Sequence, residues 1–376
     1  SVSMLAMGRF YDSRLVFYGI NVSLILSSLY SIFAISCMFL IKRTTLTSIK
    51  FIRYIFYSIL VISSLILWPI YGVTDYGFEK LINLICITIP ISIIISEKFT
   101  SKDRNFFIIV LLSISSILFF ISILNFSEIS IDRSGVLGGG PIILARWLCI
   151  GALILFFHPN LPKIKYIFVL LFIIMSLFTG SRGPFYSMVL VMLIYLFLNF
   201  KRLFWNFIIV FIFLISTIFL SGIQSHLSEF QTVSRVFMNL TEGGMGKSTG
   251  RSIVYQTSFN QISNYPLGVG SGNFDVYSDE RQHLLTKKIF YPHNLFLEIF
   301  IEFGIFSFIL FCLYIFYSIR FSFHNNIKSY SKFGNLLFYT FSFLLLNSMI
   351  SGDLNDARIL LVFIPLMNIK DDANNL

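Results

Sequence analysis

The chain is a succession of long apolar runs cut by short polar breaks. A helix that crosses a bilayer needs roughly 20 consecutive apolar residues. Runs at 15–41, 54–72, 81–96, 106–126, 141–157, 166–180, 184–199, 203–222, 294–318, 333–350 and 358–369 give eleven candidate spans. Several are short, as is usual where helices tilt, break or surround a cavity. Only Ser181, Arg182 and Gly183 separate 166–180 from 184–199, and Pro184 follows. The longest polar stretch, Ile223 to Pro292, lies between the eighth and ninth spans. A loop of about 70 residues is too long for a plain connector and is usually functional. Within it, 252–263 has the apolar spacing of a helix, and Pro266 to Asp275 is Gly-rich and turn-forming. The pattern predicts an all-α polytopic membrane protein of about 11–12 transmembrane helices with one large loop carrying short helices. It divides into an N-terminal transmembrane bundle (1–222), the large loop (223–292) and C-terminal transmembrane helices (293–376), together one integrated membrane domain.

Composition removes the soluble alternative. Of 376 residues, 56% are hydrophobic and 12% charged, with a mean hydropathy of +0.82. An ordinary soluble domain is about 25% charged, and a folded chain hides only about three quarters of its surface. The net charge is +10, which in a soluble protein would raise nucleic acid as a partner. Here the cations cluster between apolar runs, so membrane topology explains most of them and no nucleic-acid partner is expected. Lys42, Arg43, Lys50 and Arg53 follow the first span; Lys98, Lys102 and Arg104 the third; Lys163 and Lys165 the fifth; Lys201 and Arg202 the seventh; Arg320, Lys328 and Lys332 the ninth. The intervening short loops carry about one basic residue each. By the positive-inside rule the odd loops are cytoplasmic and the even loops, the large one included, face outward. The C-terminus is then inside and the N-terminus outside, which Arg9 and Arg14 oppose unless a further N-terminal span precedes them. The first run is too long for the apolar core of a signal peptide, and Ser1-Val2-Ser3 reads as a remnant start with a few native residues missing. Cys37, Cys86, Cys149 and Cys312 each lie in an apolar run, as small buried hydrophobes rather than a disulfide frame or metal site.

The residues that topology leaves unexplained collect on the predicted outer face. The fourth loop holds Asp132-Arg133 and Gly138-Gly139-Gly140, with Arg146 just inside the next span. The sixth holds Gly180-Ser181-Arg182-Gly183-Pro184; the large loop holds Gly250-Arg251 and ends in Tyr291-Pro292-His293-Asn294; the tenth holds Asp353, Asp356 and Arg358. Arginine makes bidentate, charge-assisted bonds to phosphate, and in a membrane it is costly unless it meets an anion. Arg182 at a helix start reads as a phosphate or pyrophosphate clamp, with backbone N–H groups adding to the affinity. The bland reading is a buried ion pair or an anchor snorkelling to the surface. Arg146 suits a structural pairing with Asp353 or Asp356, or a pathway role. Arg133 reads as a solvated loop residue within reach of a ligand. His293 opens the ninth span and is the natural general base; the alternative is that it merely caps the helix, with Glu298 and Glu302 binding arginines elsewhere. On a regular helix those glutamates lie about 140° and about 180° from His293, so neither stacks on it. No phosphate-binding P-loop, zinc-protease, EF-hand or serine-hydrolase elbow pattern occurs. Gly268-x-Gly270-x-Gly272 follows no strand and reads as a turn.

Three motifs in order then carry a resemblance: Thr179-Gly180-Ser181-Arg182-Gly183-Pro184; Gly250-Arg251 leading into Tyr265-Pro266-Leu267-Gly268-Val269-Gly270-Ser271-Gly272-Asn273-Phe274; and Pro292-His293-Asn294-Leu295-Phe296-Leu297-Glu298 with Glu302-Phe303-Gly304. Together they resemble the O-antigen polymerase and ligase superfamily over residues 130–360, and Ser351 to Arg358 fits its tail motif. The resemblance implies a metal-independent glycosyltransferase without a cofactor, GT-C-like in fold, in the cytoplasmic (inner) membrane with its site facing the periplasm. It would move a glycan from undecaprenyl pyrophosphate to an acceptor. Polymerases use a second lipid-linked repeat unit and ligases use lipid A–core; a chain-length regulator protein is a further implied partner, beside membrane lipid. The implied catalytic residues are His293, Arg182 and Arg251. Arg146, Arg133, Asn294, Glu298 and Arg358 would join Arg182 and Arg251 in binding pyrophosphate or glycan. Tyr291 stands where ligases often carry a first histidine, which favours the polymerase. A transporter or flippase of a lipid-linked anionic substrate is the reading from another class.

Overall fold

The structure, a computed structural model, describes residues 47–126, 140–201, 250–278, 289–322 and 332–369, with isolated positions between 16 and 36. Apart from a short antiparallel pair, β1 (Val16–Phe17) with β2 (Ile20–Asn21), the regular elements are helices, as the apolar runs predict. They are α1 (Ser48–Tyr71), α2 (Asp75–Asn83), a π-helical turn (Leu84–Thr88), α3 (Ile89–Lys98), α4 (Ser101–Leu124), α5 (Pro141–Phe157), α6 (Lys165–Phe178), α7 (Arg182–Asn199), α8 (Gly250–Asn264), α9 (Leu295–Ser322), α10 (Lys332–Ile350) and α11 (Arg358–Met367). Among the described residues six helical stretches are long and apolar enough to cross a membrane, with α2 to α3 counted as one, and α5, α6 and α11 are shorter apolar helices. The expected spans 15–41 and 203–222 lie almost wholly, or wholly, outside the described residues.

The helices form two compact units, Ser1–Ile109 with Ser248–Leu376, and Val110–Lys247. In the first, α1 starts at Thr47, whose hydroxyl accepts from Lys50 N, and ends at Gly72 in the left-handed region (φ 87°). Its outward face is apolar; Ile70, for instance, is 67% exposed. Such a face is stable only against lipid. Its inward face packs on α9, where the ring of Phe56 stacks on Phe311 at 5.5 Å and lies 6.0 Å from Tyr314. Lys50 and Arg53, expected in a loop, are helical and bind Glu97 at the end of α3 at 2.8 and 3.1 Å. Thr74 caps α2 through Gly77 N, and Asp75 sits in its first turn, both favourable at a helix start. Pro90 follows the π turn and supplies no N–H to the turn before it, so a locally widened helix upstream is its natural companion.

One predicted span is not continuous. α9 breaks at Gly304 (φ 84°, ψ 175°), a conformation essentially reserved for glycine. A break exposes backbone groups, which at membrane depth must be satisfied by protein. The Gly-rich segment after α8 does this: Val269 N donates to Ile301 O and Gly270 N to Glu302 O, both at 2.9 Å, and Ile305 N donates to Pro266 O at 3.0 Å. The same segment is bound on its other side by Trp68 Nε1 and Thr74 Oγ1, which donate to the carbonyls of Ser271 and Gly272. Asn273 Nδ2 closes the turn on Gly72 O. The approach is too close for side chains. A Cβ on Gly272 would lie 2.2 Å from Gly77 Cα, and one on Gly304 2.3 Å from Leu267 O. The turn expected at Gly268-x-Gly270-x-Gly272 is therefore a docking loop joining α1, α2 and the break in α9.

In the second unit α5 is buried along almost its whole length. Gly151 lets it approach α4 and α6: a Cβ there would meet Phe172 Cε1 at 2.5 Å and Ser115 Cβ at 2.7 Å. Phe119 and Phe172 stack at 4.6 Å beside it.

Candidate active site

The docking loop brings α2 against the first half of α9, and a buried charge cluster forms between them. Lys80 Nζ donates to Glu298 Oε1 at 2.6 Å and to both oxygens of Glu302 at 2.7 and 2.9 Å. All three side chains are wholly buried. Glu298 and Glu302 are four residues apart on α9 and so share one face. Glu298 Oε1 also accepts from Leu354 N at 3.1 Å, and the Gly272 N–H bonds the Glu302 carboxylate. One turn before Lys80, the Tyr76 hydroxyl donates to Asp353 Oδ2, and the Lys80 ammonium lies 4.7 Å from the centroid of the Tyr76 ring. Asp353 Oδ1 accepts from Asp356 N at 2.8 Å, closing the turn that leads into α11.

The expected partners of the glutamates were arginines; the partner is a lysine. Lys80 reads in sequence as the basic residue of the second loop, because the apolar run begins at 81. In the structure α2 begins six residues before that run, so Lys80 lies within the helix and on its buried face. The signal that could have located it is the Thr74-Asp75 helix start, which puts Tyr76 and Lys80 one above the other at i and i+4.

His293 stands at the lip of this cluster. It does not cap α9: Asn294 does, its Oδ1 accepting from Phe296 N at 3.0 Å and Leu297 N at 3.3 Å. His293 precedes the cap in a left-handed conformation (φ 56°), so helical angles between it and the two glutamates do not apply. Its ring meets the edge of Tyr291 at 4.5 Å, and Tyr291 in turn stacks with Tyr76 at 6.4 Å. Burial lowers the His293 pKa from its ordinary 6.5, and the charge of Arg251 lowers it further; Asp353 and Asp356 pull the other way. The net result is a neutral imidazole at neutral pH, able to accept a proton.

The other expected residues fall as follows. Arg251 is exposed at the first turn of α8. Arg358 opens α11, buried, with Nε donating to Asn355 O at 2.7 Å. These two share the first unit with His293, Asn294 and Glu298. Arg182 and Arg146 belong to the second unit. Arg182 is exposed on the first turn of α7 and so is not a buried ion pair. Ser181 before it is buried, makes no side-chain cap bond, and among the described residues its Oγ has no hydrogen-bond partner. Gly180 (φ 68°) turns the chain between α6 and α7. Arg146 is buried within α5. Arg133 lies outside the described residues.

Residues 167–312 match the family model described as O-antigen ligase. The match supports the resemblance of this chain to the O-antigen polymerase and ligase superfamily. The match supports a glycosyltransferase-like enzyme of the polymerase or ligase kind. The matched segment contains Arg182, Arg251, the docking loop, His293, Glu298 and Glu302, the residues on which the resemblance rests. Tyr76, Lys80, Asp353 and Arg358 lie outside it. No curated protein matches the chain.

Proposed function

We propose that the chain is a metal-independent, inverting glycosyltransferase that polymerises undecaprenyl-pyrophosphate-linked repeat units at the periplasmic face of the cytoplasmic membrane. The observation that carries this reading is His293, held just before α9 against the ring of Tyr291 and close enough to Arg251, Asp353 and Asp356 for the charge of each to act on it. A base and a cation are the two groups such a transfer needs. The acceptor hydroxyl gives its proton to His293 as its oxygen attacks the anomeric carbon. The bond to pyrophosphate breaks on the opposite face, inverting the configuration, and the electron pair leaves with the phosphate oxygen. Cations placed where that charge grows stabilise the transition state, often the largest catalytic term. Arg251 and Arg182 are the candidates. At Arg182 the exposed guanidinium, the N-terminus of α7 and the hydroxyl of Ser181, unpartnered among the described residues, supply donors of the kind a phosphate takes. Asn294, Glu298, Arg146, Arg133 and Arg358 are proposed as glycan and pyrophosphate neighbours, with a chain-length regulator as a protein partner.

A second reading, the ligase, is favoured by the description of the matching family model. Deletion separates the two on a gel of surface polysaccharide. A single repeat unit left on the core means polymerase; long polymer stranded on the lipid carrier means ligase. The transferase reading fails if Arg182→Ala and Arg251→Ala, present at normal protein level, both leave polymer length and amount unchanged.

A further inference from the structure

Tyr76 lies outside the matched segment, yet it touches both Tyr291, which borders His293, and Asp353, whose charge acts on His293. Its hydroxyl donates to Asp353 Oδ2, and its ring stacks with Tyr291, whose own ring borders His293. Tyr76 is itself fixed. The Lys80 ammonium sits over its ring and is held by two buried glutamates. One of these, Glu298, also binds Leu354 N, the backbone next to Asp353. Asp353 is thus gripped from three directions: by Tyr76 at one oxygen, by Asp356 N at the other, and by Glu298 at the adjoining peptide. Two hydrogen bonds fix the carboxylate itself and a third fixes the peptide beside it.

We propose that Tyr76 is a positioning residue for the transfer reaction, setting the orientation and charge of Asp353 and, through it, the basicity of His293. The inference rests on the transferase reading for its purpose, not for its physics. The charged and titratable groups around His293 are Arg251 from α8, Asp353 and Asp356 from the turn before α11, and Tyr291 from its own segment. Around Asp353 they are Tyr76 and Lys80 from α2 and Glu298 and Glu302 from α9. A hydroxyl that donates to a carboxylate draws part of its charge toward itself. Removing the donor strengthens the carboxylate's field at the imidazole, and removing the carboxylate abolishes that field.

The test is a histidine-selective NMR titration of the full-length protein in detergent micelles without substrate, the His293 signal being assigned by its loss in His293→Gln. Tyr76→Phe, which keeps the ring, should raise the His293 titration midpoint. Asp353→Asn should lower it, and Tyr76→Phe added to Asp353→Asn should move it no further. With lipid-linked substrate, Tyr76→Phe should move the acid limb of kcat/KM upward in pH in step with the NMR midpoint, with KM for the donor within about twofold. A midpoint that stays in place or falls in Tyr76→Phe overturns the proposal, as does an equal shift in the Asp353→Asn background. Because the titration needs no turnover, a wild-type protein that transfers no glycan would sink the transferase reading and leave this inference to be decided on its own.

Discussion

At the scale of the residue, His293 and Lys80 present opposite solutions to burying a titratable group. His293 is kept neutral by burial and by Arg251. Its titration lies below 6.5, so the neutral base is fully present at neutral pH and is lost only as the medium is acidified past that point. Transfer should therefore be flat around neutrality with an acid limb below pH 6.5 in kcat/KM; a limb above that value contradicts the assignment. His293→Gln should lower kcat about 100-fold or more and erase the limb. Lys80 instead keeps its charge by partnering Glu298 and Glu302. Removing one member of a buried pair costs about 3–5 kcal/mol because the other is left uncompensated. Lys80→Met should lower the thermal unfolding midpoint in detergent accordingly, and adding Glu298→Gln and Glu302→Gln should restore much of the loss. His293 was legible because histidine at a span boundary is rare and chemically pointed. Lys80 was not, because a cation one residue before an apolar run looks like an interfacial charge, and only the fold shows which face of α2 it occupies.

At the scale of the element, the docking loop decides whether the cluster forms. Gly272→Ala must displace the backbone of Gly77, and Gly304→Ala that of Leu267, both from left-handed positions. Each should cost about 2–4 kcal/mol from overpacking and backbone strain together and reduce the yield of folded protein. Gly140→Ala, with open space around it and an ordinary φ, should match the wild type when the yields are compared by fluorescence-detected size-exclusion chromatography. The sequence marks this loop as a turn, and its glycines at every second position predict little more. What it docks against depends on Gly304 and Gly77, 32 and more residues distant in the chain. The helices themselves were legible almost throughout, since apolar length is a local property. Their ends were less so: α1 and α2 begin six residues before their apolar runs, where cations are drawn into helices by Glu97, Glu298 and Glu302.

At the scale of the whole molecule, the residues proposed for the chemistry of this all-α membrane protein stand at helix starts: α7, α8, α9 and α11 open at or beside Arg182, Arg251, His293 and Arg358. Helix starts offer unsatisfied N–H groups and positive potential, which suits a substrate whose leaving group is an anion. The central claim is transfer of glycan from a lipid pyrophosphate, and purified protein tests it most directly. Wild-type protein in proteoliposomes, given a fluorescently labelled undecaprenyl-pyrophosphate-linked repeat unit, should convert it to longer lipid-linked products, followed by chromatography. Arg251→Ala should lose at least about tenfold in rate, the size of one charge-assisted contact made in the transition state. Unchanged repeat units after incubation with folded wild-type protein, both alone and with lipid A–core supplied as acceptor, would contradict the account.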